Sequence, residues 1–193
     1  MKVISFPLQT AFTIKKSKFL CFAYFVQNKD EIKDILNKLK KQYADASHIC
    51  YAYVLDDKTY YYTDGGEPSG SAGKPIYGAI LSNKLNYTLV VVIRYFGGIK
   101  FGPGPLRATF KDISLKTLHN AKIKTAVVTD LVEIHVAYNQ LKQIKLNFKN
   151  AIYQEDYQHE YVSILLVGDS KTLIKQLSSF NIVPISIKEN QVV

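Results

Sequence analysis

Three observations predict an α+β protein in two domains. The charge is uneven: residues 1–129 carry 19 Lys/Arg against 9 Asp/Glu, whereas residues 130–193 carry 6 against 7. The run Tyr87 to Phe96, YTLVVVIRYF, is apolar on both faces of an extended chain, which suits the central strand of a covered sheet. The last third alternates strand-type and helix-type patterns in the order βαββαβ, the ferredoxin-like order. The boundary therefore falls near residue 129, between a basic domain 1–129 and a near-neutral ferredoxin-like domain 130–193.

Taken in order, Thr10 to Ile14 and Phe19 to Val26 read as strands around a basic corner, Lys15, Lys16 and Lys18. A helix follows, capped by Asn28 or Asp30, with Ile32, Ile35, Leu36, Leu39 and Tyr43 at helical spacing. Ser47 to Leu55 and Thr59 to Thr63 form a hairpin across Asp56, Asp57 and Lys58. Pro75 suits the first position of a short helix, Ile76 to Leu81, because an N–H there would be unpaired anyway. After the YTLVVVIRYF strand, GGIKFGPGP leads into a helix from Leu106 to Asn120, and Ala121 to Thr129 reads as a connector. The tail gives strand 131–137, helix 141–148, strands 151–157 and 160–167, helix 171–180 and strand 182–187, with Asn139 and Ser170 as N-caps.

Composition narrows the function classes. A chain of 193 residues with 47% hydrophobic content builds a real core. No apolar run approaches the roughly 20 residues of a membrane helix, and no secretory leader is evident, so a cytoplasmic protein without membrane partners is expected. Cys21 and Cys50 have no metal-type or redox spacing, and the four histidines are scattered, so neither a metal nor any other cofactor is expected. The net charge of +9, confined to one domain, points to a polyanionic partner or else to a well-solvated lysine surface.

Two glycine-rich loops carry the chemistry. YYTDGGEPSGSAGKP (61–75) and GGIKFGPGP (97–105) each run into a helix N-terminus, where backbone amides cradle anions. Lys74, Arg94 and Lys100 stand in or beside them. The competing reading is that the glycines only make turns and the cations pair with Asp64 and Glu67. Lys74 is followed by Pro75 and neither loop spells GxGxxG, so nucleotide hydrolysis is disfavoured. His48 and Cys50 share a strand face and form a conceivable nucleophile pair, though a buried thiol beside a satisfied histidine is the commoner case. Tyr51, Tyr53, Tyr60, Tyr61, Tyr62, Tyr77 and Tyr95 offer base-stacking surfaces or, more commonly, cross-strand packing.

The runs DASHICYAY (45–53), DGGEPSGSAGKPI (64–76) and VVVIRYFGGIKFGPGPL (90–106), in this order and spacing, resemble the YigZ/IMPACT family. The resemblance implies an N-terminal ribosomal-protein-like α/β domain similar to domain IV of elongation factor G, a C-terminal domain similar to the ferredoxin-like elongation-factor module, and nucleic-acid or ribosome binding in regulation of translation. It brings no established catalytic residues. Gly65 stands where the family has a second Asp, Pro103 and Pro105 replace small residues, and the family's RAY segment falls on Ala108, Thr109 and Phe110, with Arg107 one step earlier.

The expected partner is RNA or the ribosome, with a protein contact open for the tail. The alternative is a small-molecule enzyme holding a phosphorylated substrate between the glycine loops. The candidate anion site comprises His48, Asp64, Glu67, Ser69, Gly70, Ser71, Gly73, Lys74, Arg94, Gly97, Gly98 and Lys100, with the loop amides on the anion, the cations supplying charge and Glu67 orienting one of them.

Overall fold

The computed structural model describes residues 1–193 and divides them into two compact units, Met1–Ala126 and Val127–Val193. The first contains β1 (Lys2–Ile4), β2 (Leu8–Ile14), β3 (Ser17–Phe25), α1 (Lys29–Gln42), β4 (His48–Val54), β5 (Tyr60–Thr63), α2 (Gly73–Ser82), β6 (Thr88–Tyr95), α3 (Pro103–His119) and β7 (Ile123–Thr125). The second contains β8 (Val128–Val136), α4 (Tyr138–Asn147), β9 (Ile152–Tyr157), β10 (Val162–Gly168), α5 (Ser170–Ser178) and β11 (Ser186–Val192). No helix is long and apolar enough to cross a membrane.

The first unit is built on an antiparallel sheet of order β2-β3-β6-β4-β5. Alternation along β6 explains its central place. Leu89, Val91 and Ile93 join Leu20 and Phe22 in a core with Ile32, Leu36 and Leu39 of α1. Val90 and Val92 join Cys21, Cys50 and Ala52 in a second core with Ile76 and Ile80 of α2 and Phe110 and Ile113 of α3. A strand buried on both faces has no wet side, hence its unbroken apolar sequence. The basic corner is a tight turn: Ile14 pairs with Ser17, and Lys15 and Lys16 both take positive φ, 46° and 63°, as a two-residue hairpin demands. Asn28 caps α1, its side chain accepting from the N–H groups of Asp30 and Glu31.

Several boundaries differ from the sequence expectation. The supposed connector 121–129 contains β7, which pairs antiparallel with β1, and the Met1 ammonium donates to the Ala126 carbonyl at 2.8 Å. A three-residue strand has no period to read, and its partner lies about 120 residues away in sequence. Helix α3 begins earlier, with Pro103 in its first turn, where the missing N–H costs nothing. Helix α2 begins at Gly73, so Pro75 is its third residue and not its first.

In the second unit the sheet order is β11-β8-β10-β9 with every neighbour antiparallel. Strand β10 thus lies between β8 and β9, a split βαβ arrangement. Val132, Ile134, Val136, Ile144, Ile164, Leu166, Leu173 and Leu177 form its core. The expected caps are corrected: α4 starts after Ala137 with no side-chain cap, and Asp169, not Ser170, caps α5 by accepting from the Thr172 N–H at 2.8 Å. The last strand starts at Ser186; Ile182 instead packs into the core while Val183 and Ile185 are exposed.

Because each unit has its own core, residues 1–126 expressed alone are expected to unfold cooperatively and to give a dispersed amide NMR spectrum. An aggregated or molten fragment would show that this unit needs the rest of the chain.

Candidate functional site

The loop between β5 and α2 is organised around one carboxylate. Asp64 Oδ1 accepts from the backbone N–H groups of Ala72 and Gly73 at 2.9 and 2.8 Å, and Oδ2 accepts from Gly70 at 2.8 Å. Helix α2 has no capping side chain of its own, so Asp64 supplies both hydrogen-bond acceptor and negative charge at its N-terminus. Burial opposes ionisation of Asp64, but the three donors outweigh it and hold the carboxyl below its ordinary pKa. The amides of Gly70 and Gly73, expected to hold an external anion, are therefore filled by the chain itself. Ser71 turns its hydroxyl onto the Pro68 carbonyl at 2.6 Å, and Ser69 is exposed. Gly73 is required by contact: a Cβ there would lie 2.6 Å from the Thr63 carbonyl carbon. Gly65 has φ +55°, and a Cβ there would overlap the Ile49 carbonyl, so an Asp at this place has no room.

The second loop is closed in the same way. The Gly97 N–H donates to Ser17 Oγ at 3.1 Å and that of Phe96 to Ser47 Oγ at 3.0 Å. Gly98 has φ +82° and open space around it.

Between the loops lies a buried ion pair. Arg94 is the β-register partner of Phe19 on one side and His48 on the other, so the three residues form a row across β3, β6 and β4. Its Nη1 donates to both carboxylate oxygens of Glu67, at 2.8 and 2.9 Å, and its Nη2 to Ser17 Oγ at 3.3 Å. Arg94 is 4% exposed and Glu67 7%. The guanidinium carbon lies 4.8 Å from the Phe101 ring centre and 5.4 Å from those of Phe19 and Phe96, an aromatic box. Arg94 Nε is buried without a partner. His48 Nε2 stands 3.9 Å from Glu67 Oε1, beyond hydrogen-bond reach.

Two cavities flank this centre. One, of about 520 Å³, is walled by His48, Glu67, Pro68, Arg94, Phe96, Lys100, Phe101 and Leu106, so both loops contribute to it. The other, of about 410 Å³, lies between α2 and α3 and is lined by Gly70, Lys74, Ser82, Arg107 and Lys111. Thus His48, Glu67, Arg94 and Lys100 come together, Lys74 and Gly70 belong to the neighbouring groove, and Gly97 and Gly98 line neither. Sequence reasoning missed Ser17, Phe19, Phe96 and Phe101, whose contact with Arg94 depends on strand pairing. Arg107 and Lys111 carried a readable signal, since residues four apart share a helix face.

Cys50 is poorly suited to act as a thiolate nucleophile. Burial, and then the nearby Glu67 and Asp64 charges, push the Cys50 thiol far up, and its Sγ–H donates to the Asp64 carbonyl at 2.9 Å. The tyrosines mostly serve one another: Tyr60 and Tyr62 pack on Tyr77, and Tyr61 on Tyr51 and Tyr53, while Tyr60, Tyr61 and Tyr62 keep exposed area.

Fold and site together define a protein with a basic, loop-centred α/β unit followed by a small split βαβ unit. The profile of the Impact N-terminal domain matches residues 15–118, and the chain belongs to the IMPACT family. It is 33% identical over 156 residues to the IMPACT family member YvyE of Bacillus subtilis (strain 168), covering 76% of this chain and 72% of that one. An IMPACT family member of Haemophilus influenzae is 28% identical over 173 residues, covering 86% and 83%. A crystal structure of a protein described as hypothetical shares the fold over 98% of each chain, with a TM-score of 0.66 and 24% identity.

The ion pair and the capping carboxylate give two stability predictions. Arg94→Ala and Glu67→Ala each strand one buried charge and are expected to cost about 3–5 kcal/mol, read by urea unfolding. Asp64→Ala orphans three amides and is expected to cost about 3 kcal/mol or more. The folded-state pKa of Asp64 is depressed, so its stabilisation is present above the unfolded carboxylate value of about 3.9 and is lost as pH falls through the folded value. Asp64→Asn is expected to flatten that acid limb; an unchanged pH–stability curve would contradict the assignment.

Proposed function

We propose that the first unit binds the phosphate backbone of single-stranded RNA, including RNA exposed on the ribosome, and that the protein acts in regulation of translation. The carrying observation is the groove between α2 and α3. Lys74, Arg107 and Lys111 converge on it, and no carboxylate lies within 4 Å of any of the three, the chain's ion pairs being elsewhere. Arg107 is steadied by its Nε donating to the Gly70 carbonyl at 3.2 Å. Three cations without carboxylate partners suit successive phosphates, and the 19 basic against 9 acidic residues of unit 1–126 add long-range attraction. Family membership supports the translational role. We take the two units as counterparts of elongation-factor modules, domain IV for the first and a ferredoxin-like module for the second, and the near-neutral second unit as a protein-contacting one.

The alternative, an enzyme holding a phosphorylated substrate between the loops, has less support. Of the amides that would grip the phosphate, those of Gly70 and Gly73 already bind Asp64 and that of Gly97 binds Ser17, and a carboxylate, Glu67, lines the space.

Fluorescence anisotropy of a labelled single-stranded RNA at several salt concentrations tests the proposal. Affinity is expected to fall steeply with salt, and Lys111→Ala should lower the slope of log K against log salt by about 0.7, the value for one phosphate contact on a single strand. Absence of binding at low salt, together with no co-sedimentation with ribosomes, would refute it.

A further inference from the structure

The cavity between the glycine loops adjoins the basic groove. Pro68 and Leu106 wall the cavity, whereas Gly70 and Arg107, two residues and one residue further on, line the groove. The Arg107–Gly70 hydrogen bond ties together the loop and the helix that supply both linings. The two spaces are thus neighbours along both segments.

The cavity suits a ring better than a phosphate. The guanidinium in its wall is already neutralised by Glu67, so a phosphate finds no unpaired charge there but Lys100, while Phe96 and Phe101 line the space. A planar ring fits such a lining. Phe96, 48% exposed, offers it an aromatic face, and Lys100 at the rim can meet a flanking phosphate. The volume of about 520 Å³ lies within the usual range for small-ligand sites, about 300–1,000 Å³.

We infer that this cavity receives one unpaired nucleobase of the strand whose phosphates follow Lys74, Arg107 and Lys111. The inference rests on the RNA-binding reading proposed above. A base held in a duplex is stacked and paired and does not enter, so the site selects single strands and loops.

The chain has no tryptophan, so Phe96→Trp installs a single fluorescent reporter at the cavity mouth in the full-length protein. Oligoadenylate is expected to quench that tryptophan, while inorganic polyphosphate binds with similar salt dependence but without quenching. Phe96→Leu, at a half-exposed position that leaves the fold intact by thermal melting, is expected to weaken oligoadenylate about 10-fold and to leave polyphosphate unchanged. If both polymers bind but neither responds to the residue at 96, the base pocket is overturned and the phosphate groove stands. If neither polymer binds at low salt, the RNA reading fails, and adenosine alone decides the pocket: quenching supports it and no quenching overturns it.

Discussion

A guanidinium taken out of water must be neutralised and hydrogen-bonded, and the first unit is arranged around meeting that demand. Arg94 sits near the end of the central strand β6, after the buried apolar run Leu89 to Ile93. Its partner Glu67 comes from the loop before α2, Ser17 from the hairpin turn, and the flanking rings from β3, the second glycine loop and α3's approach. One buried charge therefore fixes the position of two loops relative to a sheet. Such a pair adds little net stability over an apolar replacement, but breaking half of it is costly, so it favours one loop conformation over its alternatives.

The same logic separates filled from unfilled charge. Asp64 satisfies the N-terminus of α2, Glu67 satisfies Arg94, and Ser17 satisfies Gly97. Most of the amides expected to hold an anion are thus met within the chain. On the flanks of the loops lie three cations outside every ion pair and a cavity walled in part by Phe96 and Phe101. The groups free to meet a ligand are therefore mainly side chains that the loops position.

Much of this was legible in the sequence, for reasons that can be stated residue by residue. Strand β6 was readable because burial on both faces leaves no polar alternation, and α1 because Asn28 and a 3.6-residue apolar period bracket it. The βαββαβ order was readable because each element is long enough to show a period. The β1–β7 pair was not, since three residues carry no period and long-range pairing leaves no local trace. Within the site, the loops and Arg94 stood out by composition. The role of Asp64 was hidden, because a carboxylate beside glycines gives no sign of whether it meets a ligand or its own backbone. The choice turned on Ala72, a residue unable to cap α2, so the helix had to draw its acceptor from elsewhere.

Phosphate contacts and base contacts do different work, and in the proposed reading the groove and the cavity divide them. Cations such as Lys74 and Lys111 act on any polyanion at a distance, and salt weakens them. A pocket that needs a ring acts only at contact and is far less sensitive to screening. The two spaces draw lining residues from the same loop and the same helix, which the Arg107–Gly70 hydrogen bond joins. The buried Arg94–Glu67 pair holds the wall of the cavity, and through the Pro68–Gly70 segment it also holds the edge of the groove. A change that loosens the pair therefore reaches the lining of both spaces, although Arg94 and Glu67 stand outside the groove.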